Sequence, residues 1–465
     1  MIKTSLNRSQ RLFGTDGIRG TVNGPNSTNL TPIDVVKYAS AYGTWINKKN
    51  KNKLSTIVIG RDGRISGPVL IELVKSTLIS MGINIIDIDL STTPTTQIII
   101  QKKKANGGII LTASHNPKNW NALKLFNYKG EFLVKKEAEE IFKIVKENQF
   151  EFKGEDNFGK ISKLSDAFKV HIDEVKNLTL VNANNIITKK FKIVVDGINS
   201  SGGVIVPQLL KELGASVIEI NCSPDGNFAH NPEPLDNNLT ELKKTVLKEK
   251  ADLGIALDPD VDRLVFVCEN GVLFGEENTI VACADYVLSK TKGSTVSNMS
   301  SSMSLEIISK KYNCDYHSSM VGEINVVEKM KEVSAIVGGE GNGGVIYPES
   351  HYGRDALVGI VLFLSHLSEL NIKVSELLNL YPKFFMVKDK IILDDKFNFS
   401  KLKNDMNVKY KSEQIDERDG IKIQFDDSWL HIRKSNTEPI IRIYSEAKSE
   451  KECKKIVDDF KTLIN

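Results

Sequence analysis

Residues 55–90, STIVIGRDGRISGPVLIELVKSTLISMGINIIDIDL, and residues 191–222, FKIVVDGINSSGGVIVPQLLKELGASVIEINC, are two versions of one unit. Each opens with an apolar, β-branched run, turns at Asp-Gly, passes through a loop of small residues and continues with apolar residues at helical spacing. A glycine then stops the helix and a second apolar run comes after it, so the pattern predicts a β-α-β unit twice over. A looser third version, GSTVSNMSSSMSLEIISKKYNCDY, begins at Gly293, where a short β-branched run again meets a Ser-rich loop and a helix-period stretch. Such units favour mostly parallel sheets with right-handed crossovers, which present their ligand loops at the carboxyl ends of the strands. Three related α/β layers are therefore expected, with function in the loops after the strands.

The last portion reads differently. DGIKIQFDDSWLHIRKSNTEPIIRIYSEAKSEKECKKIVDDFKTLIN, residues 419–465, gives strands joined by an Asp-Asp-Ser turn and a polar loop, then one charged helix. The expected fold class is thus α/β, three topologically similar α/β domains with mixed, mostly parallel sheets, plus a smaller C-terminal α+β domain. Polar stretches and breaks in the pattern place the divisions at 1–152, 153–268, 269–378 and 379–465. A chain of 465 residues fits that division at roughly 100 to 200 residues per domain.

Composition removes several function classes. Lys+Arg number 62 against Asp+Glu 59, a formal charge of +3, so no global field argues for nucleic acid or an anionic membrane. The first residues hold no apolar stretch of signal-peptide length, and no run approaches the ~20 apolar residues of a membrane span. A cytoplasmic protein that binds neither nucleic acid nor membrane is the expectation. The five cysteines, Cys222, Cys268, Cys283, Cys314 and Cys453, are scattered without a Cys-x-x-Cys pair and read as reduced thiols. His171, His230, His317, His351, His366 and His431 have no metal-like spacing and read as structural or surface groups, and Trp45, Trp120 and Trp429 as packing residues.

Two segments imitate phosphate-binding patterns. Gly154 to Lys160 spells G-x-x-x-x-G-K, but Ile161 stands where a hydroxyl should hold magnesium, and Glu155 and Asp156 would repel phosphates. Gly339, Gly341 and Gly344 fit G-x-G-x-x-G and support a nucleotide-binding oxidoreductase as the rival class. The chain then continues as VIYPES, with Pro348 inside it, rather than as a helix able to hold a pyrophosphate.

The segment GGIILTASHNP, 107–117, is different: an apolar strand delivers a hydroxyl, an imidazole and an amide into a loop closed by Pro117, which places Ser114 for exposure. A serine hydroxyl needs a base or a metal to become a nucleophile. That partner is ALDPDVDRL, where Asp258, Asp260 and Asp262 crowd one loop after an apolar strand. Three such carboxylates repel one another unless a hard divalent cation with oxygen ligands, such as magnesium, neutralises them. In IRKSNTEPIIRIY, Arg433, Ser435, Asn436, Thr437 and Arg442 put guanidinium, hydroxyl and amide donors around one corner, which suits a phosphate. In GGEGNGG, glycines allow close approach while Glu340 and Asn342 offer polar groups for sugar hydroxyls.

In this order the motifs, together with GTDGIRG at 14–20 and NALK at 121–124, resemble the α-D-phosphohexomutase family over essentially the whole chain, and most closely its archaeal-type phosphoglucosamine mutases. The resemblance implies four domains around a central cleft, each giving one loop. It implies that Ser114 carries a phosphoryl group as phosphoserine, that the three aspartates and Ser114 hold Mg²⁺, and that the loop at 433–442 grips the non-reacting phosphate. It places Arg19, His115, Lys124 and Arg263 in the cleft, with Lys124 as candidate general acid or base whose pKa Arg19 or Arg263 would lower. A hexose 1,6-bisphosphate would be intermediate and activator, and the chain a monomer or homodimer acting on a phosphosugar.

The sequence departs from common family patterns at Pro259 and Val261, at Asn342 and Gly344, and at Glu323, where mannose- and glucose-directed members often carry His. A carboxylate near the sugar favours an amine, so glucosamine 6-phosphate and glucosamine 1-phosphate are the expected pair, within amino-sugar biosynthesis. Phosphomannomutase or phosphoglucomutase activity is the alternative, and a sugar-phosphate sensor without turnover the remote one.

Overall fold

The computed structural model describes residues 13–14, 17–22, 29–51, 53–393, 397–434 and 440–463. The first sheet contains strands β1 (Phe13–Gly14), β2 (Gly17–Thr21), β3 (Ser55–Arg61), β4 (Ile83–Leu90), β5 (Gly107–Leu111), β6 (Trp120–Phe126) and β7 (Ile161–Lys163). Their order across the sheet is β1-β2-β6-β5-β3-β4-β7. The second sheet has β8 (Lys192–Asp196), β9 (Ser216–Ile220), β10 (Leu253–Leu257) and β11 (Leu264–Cys268), in the order β11-β10-β8-β9. The third has β12 (Thr295–Asn298), β13 (Tyr316–Ser319), β14 (Val337–Glu340) and β15 (Gly344–Ile346), in the order β13-β12-β14-β15.

One topology runs through all three. The first strand of each unit (β3, β8, β12) lies parallel between the second (β4, β9, β13) and the third (β5, β10, β14). The third strand then turns into an antiparallel partner (β6, β11, β15). The third unit, with its looser sequence pattern, therefore takes the same path as the other two. The short β7 pairs with β4, so the chain returns to the first sheet after residue 152.

Every residue of the third strands β5, β10 and β14 is buried, as a parallel strand covered on both faces requires. Helix Ala356–Leu370 has an unbroken buried run from Ala356 to Ser368, being apolar on all sides. It joins the second and third sheets in one core, with Phe363 stacked on Phe266 at 3.8 Å between ring centres.

The C-terminal part is an antiparallel sheet of β16 (Phe385–Ile392), β17 (Gln414–Asp416), β18 (Ile421–Gln424), β19 (Trp429–Lys434) and β20 (Ile440–Ala447), ordered β16-β20-β19-β18-β17. Helices Phe399–Lys409 and Glu450–Lys461 supply Leu402, Met406, Val457 and Phe460 to its separate core. It docks on the third unit through polar contacts. Met303 N donates to Glu446 at 2.9 Å, Val321 N donates to Asp419 at 3.0 Å, and Arg418 donates to Ser318 O at 2.8 Å.

His431 sits in this junction. Its Nε2 donates to the Asp419 carbonyl at 2.7 Å, which leaves Nδ1 to accept from the Ser300 hydroxyl at 2.8 Å. Burial, with Lys422 and Arg433 nearby, pushes its pKa down to about 4. The native state thus resists a proton that the unfolded chain accepts below its ordinary value of 6.5. Its contribution to stability is present above about pH 6.5 and is lost as the pH falls towards about 4, by roughly 3 kcal/mol in all. Urea unfolding of wild type and His431→Gln between pH 7 and pH 4.5 checks this, with a shallower pH slope expected in the variant.

Several sequence expectations can be placed on this frame. Gly154 to Lys160 is an exposed loop, and Gly339 and Gly344 lie on the antiparallel β14–β15 pair, not ahead of a helix. The five cysteines are free. His171 and His351 both bond to Asp355, the N-cap of helix Ala356–Leu370, which is a structural use. Trp45 and Trp429 are buried, each with its indole N–H on a glutamate. Among the described residues no helix is long and apolar enough to cross a membrane.

Candidate active site

The turn after the third strand of each unit faces the same space. Ser114 comes after β5, Asp258 to Asp262 after β10, and Glu340 ends β14. The topology that repeats thus repeats its ligand loop, at the carboxyl ends of the parallel strands.

Ser114 is not exposed, as the strand-to-loop pattern suggests, but buried, because the second unit closes over it. Its Oγ donates to Asp258 Oδ2 at 2.7 Å, and the Nδ1 of His115 lies 3.4 Å away. The backbone at Ser114 is left-handed, with φ at 49°. Thr112 Oγ1 holds Ser114 N at 3.0 Å, and from behind, Arg64 donates to the carbonyls of Ser114, Asn116, Pro117 and Trp120 at 2.5–2.9 Å. The Arg64 Nε is fixed by Asp62 at 3.0 Å.

The three aspartates are completely buried and offer ligand atoms within 4.8 Å of one another. Asp258 Oδ1 accepts from the backbone of Asp262 and Arg263, each at 3.1 Å. Asp260 Oδ2 accepts from Lys124 at 2.6 Å and from Thr93 at 2.5 Å. Asp260 Oδ1 and Asp262 Oδ1 are buried with no hydrogen-bond partner among the described residues. Orphaned carboxylate oxygens in such a cluster fit a hard divalent cation. Burial, with Asp262 and Asp260 beside it, pushes the Asp258 carboxyl well up. Burial would also raise Asp262, but Arg354, Lys124 and Arg263 hold it well below the usual carboxylate range. Val261 adopts φ 65° and is wholly buried, so the loop holds an unusual backbone despite a β-branched side chain.

Lys124, on β6, departs from expectation. Burial would lower its pKa, but contact with Asp260 and the nearby Asp262 raises it instead, against the opposing charge of Arg354, so the net shift is the reverse of the one expected. A protonated Lys124 is a donor and an acid in this arrangement, not a base. His115 goes the other way: burial, then Arg263 and Arg19, hold its pKa well below normal. Arg19 donates to Asn116 at 3.1 Å and Arg263 pairs with Glu233 at 3.3 Å, so both lie at the rim of the serine and aspartate loops.

Glu340 accepts from Asn298 at 2.8 Å and from Gly322 N at 3.2 Å, which joins it to the loop carrying Glu323. Asn342 Nδ2 approaches Glu340 at 3.4 Å. Glu323 begins helix Glu323–Glu332 without capping it; both its oxygens go to Arg354, and burial moves its pKa up to about 7 against that guanidinium. Arg433 and Arg442 face each other across β19 and β20, and Arg433 Nε pairs with Asp419 Oδ2 at 2.9 Å. Ser435, Asn436 and Thr437 lie outside the described residues.

Three site residues escape sequence reading. By sequence Arg64 belongs to a connecting turn, Thr93 to an ordinary helix start and Arg354 to a loop. The one available signal is a charge, Arg64 or Arg354, set among small residues just after a buried strand or before a buried helix.

Known proteins share this four-part architecture. The phosphoglucomutase/phosphomannomutase alpha/beta/alpha domains I, II and III match residues 10–152, 169–271 and 276–384, and the C-terminal domain of that family matches 369–463. A phosphoglucomutase/phosphomannomutase of Thermococcus kodakarensis is 35% identical over 96% of this chain and 97% of its own. A phosphoglucosamine/phosphogalactosamine mutase of Sulfurisphaera tokodaii is 32% identical over 98% and 99%. The crystal structure of a phosphoglucomutase/phosphomannomutase family protein from Burkholderia thailandensis superposes with a TM-score of 0.85 at 24% identity, covering 100% of this chain and 98% of that one. With all four domains matched in order and relatives of this identity over its full length, the chain belongs to the phosphoglucomutase/phosphomannomutase family, the α-D-phosphohexomutases.

Proposed function

We propose that this protein interconverts glucosamine 6-phosphate and glucosamine 1-phosphate through a phosphoserine at Ser114. The observation that carries the reading is the Ser114 hydroxyl, 2.7 Å from the first carboxylate of a buried aspartate triad. In the proposed relay the phosphoryl group leaves Ser114 Oγ for the free hydroxyl of the sugar phosphate, giving a hexose 1,6-bisphosphate. The bisphosphate turns over in the cleft and its other phosphoryl group returns to Ser114, so the enzyme ends as it began. A bound Mg²⁺, held by Asp258, Asp260, Asp262 and the Ser114 phosphate, would neutralise charge on the transferring group.

The protein's own part is positioning. Arg64 holds the serine loop, and Arg19, Arg263 and Lys124 surround it with positive charge, with Lys124 as the proposed acid for the leaving oxygen. Arg433 and Arg442, with Ser435, Asn436 and Thr437, would grip the phosphate that does not react. Glu340, Asn342 and Glu323 would meet the sugar. The units 1–152, 153–268, 269–378 and 379–465 would each contribute one of these loops. We further propose a cytoplasmic monomer or homodimer.

Chelation with EDTA is expected to abolish turnover and added Mg²⁺ to restore it, with phosphoserine still detectable by mass spectrometry. For the substrate, the 1-phosphates of glucosamine, mannose and glucose are compared with Mg²⁺ and a trace of hexose bisphosphate. The name of the Thermococcus relative favours the neutral-sugar alternative. A clear glucosamine preference supports the amine reading, whereas faster mannose or glucose turnover keeps the relay and overturns the substrate.

A further inference from the structure

One side chain ties the sugar loops to the metal loop. Arg354 reaches out from the segment before helix Ala356–Leu370, and each nitrogen of its guanidinium meets a different carboxylate. Its Nε pairs with Glu323 at 3.0 Å, its Nη1 with Glu340 at 2.8 Å and its Nη2 with Asp262 at 2.7 Å. Its backbone N–H adds a bond to the other oxygen of Glu323 at 3.2 Å. All four side chains are buried. A planar, permanently charged fork can serve three acceptors in fixed directions, which a lysine cannot.

The path of that side chain depends on Gly344. A Cβ at position 344 would lie 2.3 Å from Arg354 Cδ and 2.9 Å from its Cγ, so any side chain there excludes Arg354 from its present course. The next obstacle, Asn342 Oδ1, is at 3.1 Å and belongs to a side chain that can give way. Gly344 lies in β15 with a φ that other residues adopt, so room for Arg354, not backbone freedom, is what glycine supplies here.

Charge sets the consequence. Asp262 is shared with Lys124 at 3.4 Å, while Glu323 and Glu340 have, among the described residues, only Arg354 as cation in contact. The sugar side of the cleft therefore holds two buried carboxylates against one shared guanidinium. An ammonium on the sugar can supply the missing positive charge, and a neutral hydroxyl cannot.

We propose that Arg354, admitted by Gly344, is a specificity-determining residue that aligns Glu323 and Glu340 and supplies the counter-charge which lets the cleft accept a neutral hexose phosphate beside an amino-hexose phosphate. This rests on the mutase reading and adds a residue to it. Removing Arg354 should harm neutral sugars more than amino sugars, because only the latter bring a replacement cation.

The test is a cycle of Arg354→Ala, Gly344→Ala and the double variant, each read as kcat/KM for glucosamine 1-phosphate and glucose 1-phosphate, and as Kd for the two 6-phosphates by calorimetry. Each single change is expected to lower kcat/KM for glucose 1-phosphate by about tenfold or more, the scale of a broken buried charge pair. The double variant should be no worse than Arg354→Ala alone, since the new methyl then has no side chain to displace. Both single variants should raise the glucosamine-to-glucose ratio by about fivefold or more, in line with a loss confined to one ligand class. Additive losses, or an unchanged ratio with thermal stability retained, would overturn the proposal. If the unaltered protein turns over no hexose phosphate, the mutase reading itself fails, and the ratio of the two Kd values still decides the role of Arg354.

Discussion

Ser114→Ala is expected to lower turnover by at least about four orders of magnitude, the scale seen when a covalent nucleophile is removed, while sugar-phosphate affinity stays within about threefold. The asymmetry comes from where the hydroxyl points. Among the described residues Ser114 Oγ bonds only inward, to Asp258 and towards His115, whereas the groups proposed to meet the sugar, Glu323 and Glu340, are anchored to Arg354, Asn298 and Gly322. Deleting the hydroxyl leaves Asp258 Oδ2 without its donor at a cost of about 1–3 kcal/mol, too little to unfold the loop. Steady-state kinetics with calorimetry on the same variant reads both quantities. Lost binding would mean that Ser114 positions the ligand; retained turnover would end the phosphoserine relay and with it the mutase mechanism. Lost turnover with ordinary binding also disposes of the sensor alternative, because the wild type would then have an activity to lose.

The second large effect belongs to Arg64. Its side chain is wholly buried and donates to four carbonyls of the serine loop and to Asp62, and its guanidinium lies 5.0 Å from the ring centre of Phe228 in the second unit. Arg64→Met keeps much of the apolar stem but strands those carbonyls and leaves the Asp62 carboxylate with Thr112 as its remaining side-chain donor. A loss of about 3–5 kcal/mol in the first unit is expected, as for a buried pair broken on one side. Activity should fall even under conditions where the variant is folded, because the left-handed turn at Ser114 loses its brace. Arg64→Lys should rescue little, since one ammonium cannot span four carbonyls in fixed directions. The double change Asp62→Leu with Arg64→Met should be milder in stability than Arg64→Met alone, because no uncompensated charge remains. Urea unfolding monitored by fluorescence, paired with kinetics below the transition, separates these outcomes.

The architecture was legible because its signals are local. The paired segments at 55–90 and 191–222 carry period-3.6 helices between β-branched runs, and both fold as read, into β3 to β4 and β8 to β9. The weaker third copy also reads correctly, since a Ser-rich loop between β12 and helix Ser304–Lys311 does the work of the Asp-Gly turn elsewhere. The aspartate triplet could be found for a related reason: three carboxylates within one five-residue loop after an apolar strand stay close together along the chain.

The three-fold α/β repeat, the antiparallel last domain and the clustering of Asp258, Asp260 and Asp262 were readable from the chain alone, because each is announced by a pattern that is short along it. Tertiary structure alone decided what those groups touch. Ser114 meets Asp258 across 144 residues and Lys124 meets Asp260 across 136, which reverses the expected direction of the lysine's pKa. Arg64 and Arg354 look like ordinary loop charges until the sheets are packed. Their roles come from burial, which makes an unpaired charge costly and so forces each guanidinium to find every carbonyl or carboxylate within reach.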